Sequence, residues 1–176
     1  IQINKTTFDL NTCKISNFKR ELNMKEGWLS RSFNAVLPAG EEIEVETKRF
    51  ISVKYNEVGA IEYHIKAVNF SGEITFSPYL DAGIMNEDTN YDEYFWETLK
   101  IVDGNKDACI LSKTLKTEFH VATAMEVSFS LNNQSIELTK KAAIEEKSIE
   151  HSYKLNVSKG DTASIFKYGS YVSSLN

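Results

Sequence analysis

Side chains able to do acid–base chemistry are abundant in this 176-residue chain, but few stand in a pattern that a reaction demands. Glycoside hydrolysis needs two carboxyl groups at a defined separation, one of them with a raised pKa. The chain holds 25 Asp and Glu residues, so some pair will meet any distance criterion by chance. Glu44 and Glu46 alternate with Ile43 and Val45 and read as the wet face of a strand. His64, His120 and His151 are isolated in sequence, each within or beside a strand-like run. Nothing in the sequence brings two of them together beside a glutamate, so each reads as a surface or strand-pairing residue. Nucleophile-elbow, dinucleotide-binding and P-loop patterns are missing, and Gly72, Gly104 and Gly160 read as lone turn glycines.

The densest constellation is NEDTNYDEYFW, residues 86–96. Asn86, Asp88, Asn90 and Asp92 alternate, and Glu97 follows eleven residues after Asn86, which is the ligand spacing of an EF-hand loop. The sixth position is Tyr91, where the sharp turn needs Gly, and the first is the uncharged Asn86. No metal is therefore expected. Tyr91, Tyr94, Phe95 and Trp96 beside carboxylates suit a different ligand. Sugar rings have apolar faces that stack on aromatic planes, and carboxylates accept their hydroxyl hydrogen bonds. Packing is the competing reading, because large aromatics bury their area in cores and interfaces. Asn90, Tyr91, Asp92, Phe95 and Trp96 are thus the candidates for substrate binding or interdomain contact, and no catalytic residue is assigned.

The elements that must hold these residues have a period of two. Ile43 and Val45, then Ile61, Tyr63 and Ile65, then Ile74 and Phe76 alternate with polar residues. Met125, Val127, Phe129 and Leu131 do the same, as do Tyr153, Leu155 and Val157. Such strands hide one face and wet the other, the habit of antiparallel sheets. Turn chemistry separates them at residues 38–40, 56–59, 71–72, 103–105, 132–133 and 159–161. Many short strands at regular turn spacing favour a sandwich or barrel. Two stretches leave helix open. Residues 139–150 (TKKAAIEEKSIE) hold good helix formers on a thin apolar stripe, with an exposed strand or connecting segment the equal alternative. Residues 90–99 put Tyr91, Tyr94, Phe95, Thr98 and Leu99 at helical spacings and read as a single aromatic turn.

Composition bounds the rest. One domain over residues 1–176 is expected, with no linker or internal repeat to divide it. The net charge of −5 and the scattered Lys and Arg residues argue against nucleic acid. No apolar run approaches the ~18 residues of a membrane span. Cys13 and Cys109 lie in no metal-binding spacing and read as reduced thiols. The chain opens at Ile1 without a signal pattern and reads as a segment of a longer polypeptide. A cytoplasmic location is expected, a removed signal peptide staying open.

Four segments in order carry a resemblance: RELNMKEGWLSRSF (20–33), KRFIS (48–52), NFSGEITFSPYLD (69–81) and NEDTNYDEYFW (86–96). With IQINKTTFDL at the start and KGDTASIFKYGSYVSSLN at the end, they resemble the N-terminal domain of glycoside hydrolase family 65 over nearly the whole chain. The likeness is greatest to the family's maltose phosphorylases, with trehalose and kojibiose enzymes or a plain hydrolase as alternatives. The resemblance implies an all-β, two-layer antiparallel super-sandwich of the galactose-mutarotase-like kind, with at most one or two short helices. It implies a catalytic helical barrel later in the same polypeptide, holding the single catalytic Glu. Inorganic phosphate would be co-substrate there, and no cofactor is implied. The chain itself is then a non-catalytic scaffold whose 86–96 loop faces the barrel, with a homodimer and a saccharide as further partners. A mutarotase-like enzyme would need two converging histidines. A free-standing carbohydrate-binding or interaction module is the rival reading.

Overall fold

The computed structural model describes residues 1–85 and 94–175. Among them are fifteen strands and no helix. Numbered along the chain, the strands are β1 (Gln2–Ile3), β2 (Thr6–Thr7), β3 (Lys14–Asn23), β4 (Trp28–Val36) and β5 (Glu42–Ile51). Next come β6 (Val58–Ala67), β7 (Gly72–Phe76), β8 (Tyr79–Asp81), β9 (Trp96–Asp103) and β10 (Asp107–Thr114). The last five are β11 (His120–Leu131), β12 (Gln134–Ile136), β13 (Lys140–Ile144), β14 (Ser148–Val157) and β15 (Thr162–Ser173).

They form two antiparallel sheets. The larger runs β3-β4-β5-β6-β15-β11-β10-β9, with β12 added on β11. The smaller runs β13-β14-β7-β1-β2, with β8 added on β14. The alternating apolar residues face each other between the sheets. Ile43, Val45, Ile65, Val127, Phe129 and Ala163 of the large sheet close over Ile74, Phe76, Tyr153 and Leu155 of the small one. A second cluster of Leu80, Ala108, Ile110, Met125 and Ile149 fills the far end. This is an all-β sandwich.

Local chemistry sets the turns. Between β3 and β4 the Asn23 side chain accepts from the Lys25 and Glu26 amides at 3.1 and 3.0 Å. Gly27 then takes φ 74°, a left-handed conformation that costs an L side chain energy. Asn132 and Asn133, at φ 51° and 65°, give the primed turn that the β11–β12 hairpin requires.

Two expectations change, and one open choice is settled. Residues 139–150 are not helical: β13 pairs with β14 from Lys140↔Tyr153 to Ile144↔Ile149, and Ile149 is buried. Helix propensity is a weak prior that such pairing overrides. The aromatic turn is replaced from Trp96 onward by β9, which pairs with β10. Its earlier residues, 90–93, lie outside the described residues. Gly59 is no turn residue but sits in β6 opposite Gly169 of β15.

Candidate functional site

The candidates of the 86–96 loop divide. Asn90, Tyr91 and Asp92, like the EF-hand-spaced Asn86 and Asp88, lie outside the described residues. Phe95 is half-buried just ahead of β9, and its carbonyl accepts from the Leu115 amide at 2.9 Å. Trp96 opens β9 opposite Thr114 and lines a small cavity with Leu80, Ile110 and Val121. Among the described residues no group of His, Cys, Asp and Glu could hold a metal ion. Cys13 and Cys109 are free thiols.

The histidines do not converge. His64 of β6 bonds the Ser164 hydroxyl through Nδ1 at 2.7 Å on the outer face of the large sheet. His151 of β14 belongs to the small sheet and is fully buried, not at the surface. Its Nε2 is 2.8 Å from Asp103 Oδ1, and its Nδ1 is 3.4 Å from the Tyr153 hydroxyl. Lys140 Nζ reaches the same Asp103 oxygen at 2.5 Å and also the Gly104 carbonyl. The Asp103 carboxyl is held below its ordinary pKa, first by the Lys140 hydrogen bond; burial opposes this and the His151 bond reinforces it. Tyr153 is pushed up to about 12, chiefly by burial. A tyrosine held neutral and a carboxylate tied to a lysine form a structural clasp between the sheets. Of the carboxylates once weighed for hydrolysis, Glu44 pairs with Lys66 at 3.0 Å, and Glu46 is exposed.

The site the structure does present is the uncovered end of the large sheet. Its inner face can be read in rows across paired strands. The row Phe33–Val45–Ile65–Ala163 is buried throughout. One step outward lies Arg20–Arg31–Thr47–Tyr63, and beyond it Leu22–Leu29–Arg49–Ile61–Lys167. Leu22 and Ile61 are 64% and 42% exposed although they share the face that buries Phe33 and Ile65. The reason is geometric: the small sheet stops short, so the same alternation that fills the core continues onto an open ledge. Past Ile61 the paired glycines Gly59 and Gly169 leave the ledge without side chains, and a hollow of about 490 Å³ opens there, rimmed by Leu22, Leu29 and Ile51.

The ledge is cationic. Arg20, Arg31 and Arg49 line one adjoining groove, and none of them forms an ion pair among the described residues. Arg31 rests its guanidinium 5.4 Å from the Phe33 ring centre. Burial pushes the Tyr63 phenol up, and the adjacent Arg31 opposes it. Lys167 donates to the Tyr79 carbonyl at 2.8 Å, and burial pulls its pKa down. Residues from KRFIS and RELNMKEGWLSRSF thus meet in one place. The signal for this was in the strands themselves, since LSRSF puts Leu29, Arg31 and Phe33 on one face and KRFIS puts large side chains on both.

Fold and site together define a two-sheet sandwich module without an acid–base or nucleophile constellation among its described residues. Comparison makes the assignment specific. The model of "Glycosyl hydrolase family 65, N-terminal domain" matches residues 1–176, and the chain belongs to that family. It is 35% identical over 111 residues to a maltose phosphorylase of Bacillus subtilis, covering 63% of this chain and 14% of that protein. It is 28% identical over 175 residues to an alpha,alpha-trehalose phosphorylase of Thermoanaerobacter brockii, covering 95% and 22%. A solved structure, titled a putative kojibiose phosphorylase from human microbiome, shares the fold at TM-score 0.83 and 19% identity. That match spans 98% of this chain and 21% of the other. The chain therefore spans about a fifth or less of the length of these relatives.

Proposed function

We propose that this chain is the non-catalytic N-terminal sandwich of a family 65 phosphorylase acting on an α-linked disaccharide, with maltose the first candidate. The parent reaction is phosphorolysis with inversion to a β-sugar phosphate, phosphate coming from solution and no cofactor taking part. The sandwich packs on the catalytic helical barrel of the same polypeptide and supports its active site or a homodimer.

The observation that carries this reading is the open ledge. Leu22, Leu29, Ile51 and Ile61 continue a core face without a cover, and hydrophobic surface of that kind marks a contact. Arg20, Arg31 and Arg49 beside it lack carboxylate partners within the described chain. The relatives are several times longer, which supplies a partner of the right kind. Maltose ranks first because the identity to the maltose enzyme, 35%, exceeds the 28% to the trehalose enzyme.

The test compares residues 1–176, the remaining polypeptide, and their mixture for release of sugar phosphate from maltose and phosphate. The sandwich alone gives no product above blank. The remainder is weakly active or insoluble, and adding the sandwich restores turnover. Activity from residues 1–176 alone, or full activity and solubility without them, overturns the proposal.

A further inference from the structure

The reverse side of the ledge carries a different surface. On the outer face of the large sheet Trp28 pairs with Phe50, Phe50 with Ala60, and Ala60 with Tyr168. One row inward Lys48 pairs with Glu62, and Glu62 with Phe166. Alternation places all of these opposite Leu29, Arg49, Ile61 and Lys167, on the face turned away from the core. Phe50 and Tyr168 therefore flank Ala60, whose small side chain leaves a floor, and Trp28 stands one strand beyond Phe50. The groove so formed measures about 420 Å³ and is bordered by Glu26, Lys48 and Glu62. It crosses four strands, a length of about 14 Å at ordinary strand spacing.

We infer that this groove is a binding site for a neutral oligosaccharide, a short α-linked glucan being the first ligand to try. Three features select that chemistry. Phe50 and Tyr168 are half exposed, at 49% and 47%, so their faces are free to stack on the apolar faces of sugar rings. Trp28 is aimed by its polar edge: its Nε1 donates to Glu26 at 2.7 Å, which fixes the indole beside Phe50. The charged border combines two carboxylates with one ammonium group, which supplies both acceptors and donors for ring hydroxyls. Its net charge is negative, so it offers an anion no complement. In the free protein Lys48 Nζ lies 4.8 Å from the Trp28 ring centre. Such an exposed contact is weak, and the flexible stem swings aside for a stacked sugar ring or hydrogen-bonds its hydroxyls.

The groove lies on the opposite face of the sheet from the ledge but shares Trp28, Phe50, Ala60 and Ile61 with the lining of the ledge's hollow; failure of sugar binding leaves the proposed scaffold role untouched. The experiment is a fluorescence titration of the chain with maltose, maltotriose and maltoheptaose. A Trp96→Phe background leaves Trp28 as the sole reporter, since the chain has two Trp residues. The expected result is a saturable change at millimolar concentration or below, tighter for the longer sugars. Tyr168→Ala raises the apparent Kd roughly tenfold or more. Glu62→Gln, a nearly isosteric change that keeps the fold, weakens binding several-fold. Circular dichroism and melting temperature confirm that each variant folds. No saturable change with any of the three sugars overturns the inference. So does a change that Tyr168→Ala and Glu62→Gln leave intact, or one that follows protein concentration and not sugar. The last outcome would assign the groove to a protein contact.

Discussion

His151 Nε2 lies 2.8 Å from Asp103 Oδ1, and this contact joins β14 of the small sheet to the last residue of β9 in the large one. Asp103 can only accept, so Nε2 carries the imidazole proton. Nδ1 is then left to accept from the Tyr153 hydroxyl at 3.4 Å. The tautomer, the tyrosine hydroxyl and the Lys140 ammonium are thus fixed by one carboxylate that bridges the two layers. Replacing Asp103 by Ala leaves the fully buried His151 without its acceptor. An unmet buried donor costs about 1–3 kcal/mol. Urea unfolding should show that loss as a lower midpoint with an unchanged slope.

The same carboxylate gives an acid-dependent signature. Its pKa is lowered in the folded state from 3.8, first through the Lys140 hydrogen bond. A lowered folded-state pKa contributes stability that is fully present above the unfolded value and lost as pH falls through the folded one. The stability difference between the native chain and Asp103→Asn should be constant from pH 5 to pH 8. Below about pH 4 it should shrink toward zero as the carboxyl takes up a proton. Thermal melts of both proteins across that range check it. A gap that persists at the acid end would mean that the charge is not what matters.

Ile61 and Ile65 provide a contrast within one strand and on one face. Ile65 is fully buried, and Ile61 is 42% exposed. Ile65→Ala should cost about 2–5 kcal/mol through lost burial and a residual cavity. Ile61→Ala in the isolated chain should cost well under half of that. Once the ledge is covered in the longer polypeptide, the cost of Ile61→Ala should rise. Denaturation of both variants, alone and in the full-length protein, measures the difference.

The two-sheet architecture was legible because period-two alternation is a local property. Met125, Val127 and Phe129 announce their own face, and all three are buried. The family could be read from ordered segments, which likewise needs no three-dimensional knowledge. What escaped was set by distant partners. Residues 139–150 left helix and exposed strand equally open, and only the pairing that β14 supplies decides for the strand at 140–144. His151 read as a surface or strand-pairing residue; it pairs with Ala142, but its burial was hidden because its acceptor, Asp103, lies 48 positions away. Ile61 fits the core pattern as well as Ile65 does, and only the length of the opposite sheet distinguishes them. The groove around Ala60 depends on Tyr168, brought alongside by the β6–β15 pairing. Attention to aromatic residues had instead settled on the 86–96 loop, of which Trp96 opens β9 and lines a small cavity.

One consequence of the strand order concerns synthesis. β15 is the last strand in the chain, yet it lies between β6 and β11 in the large sheet and pairs with both along most of its length. The meander β3–β6 can form as soon as it leaves the ribosome, and so can the β10–β11 hairpin. Neither half can join the other until residues 162–173 have emerged and slotted between them. Until then two rows of unpaired backbone groups, on β6 and on β11, stand open to any passing strand. A nascent chain stalled before Thr162 should therefore be a target for chaperones, and emergence of residues 162–173 should zip the sheet shut.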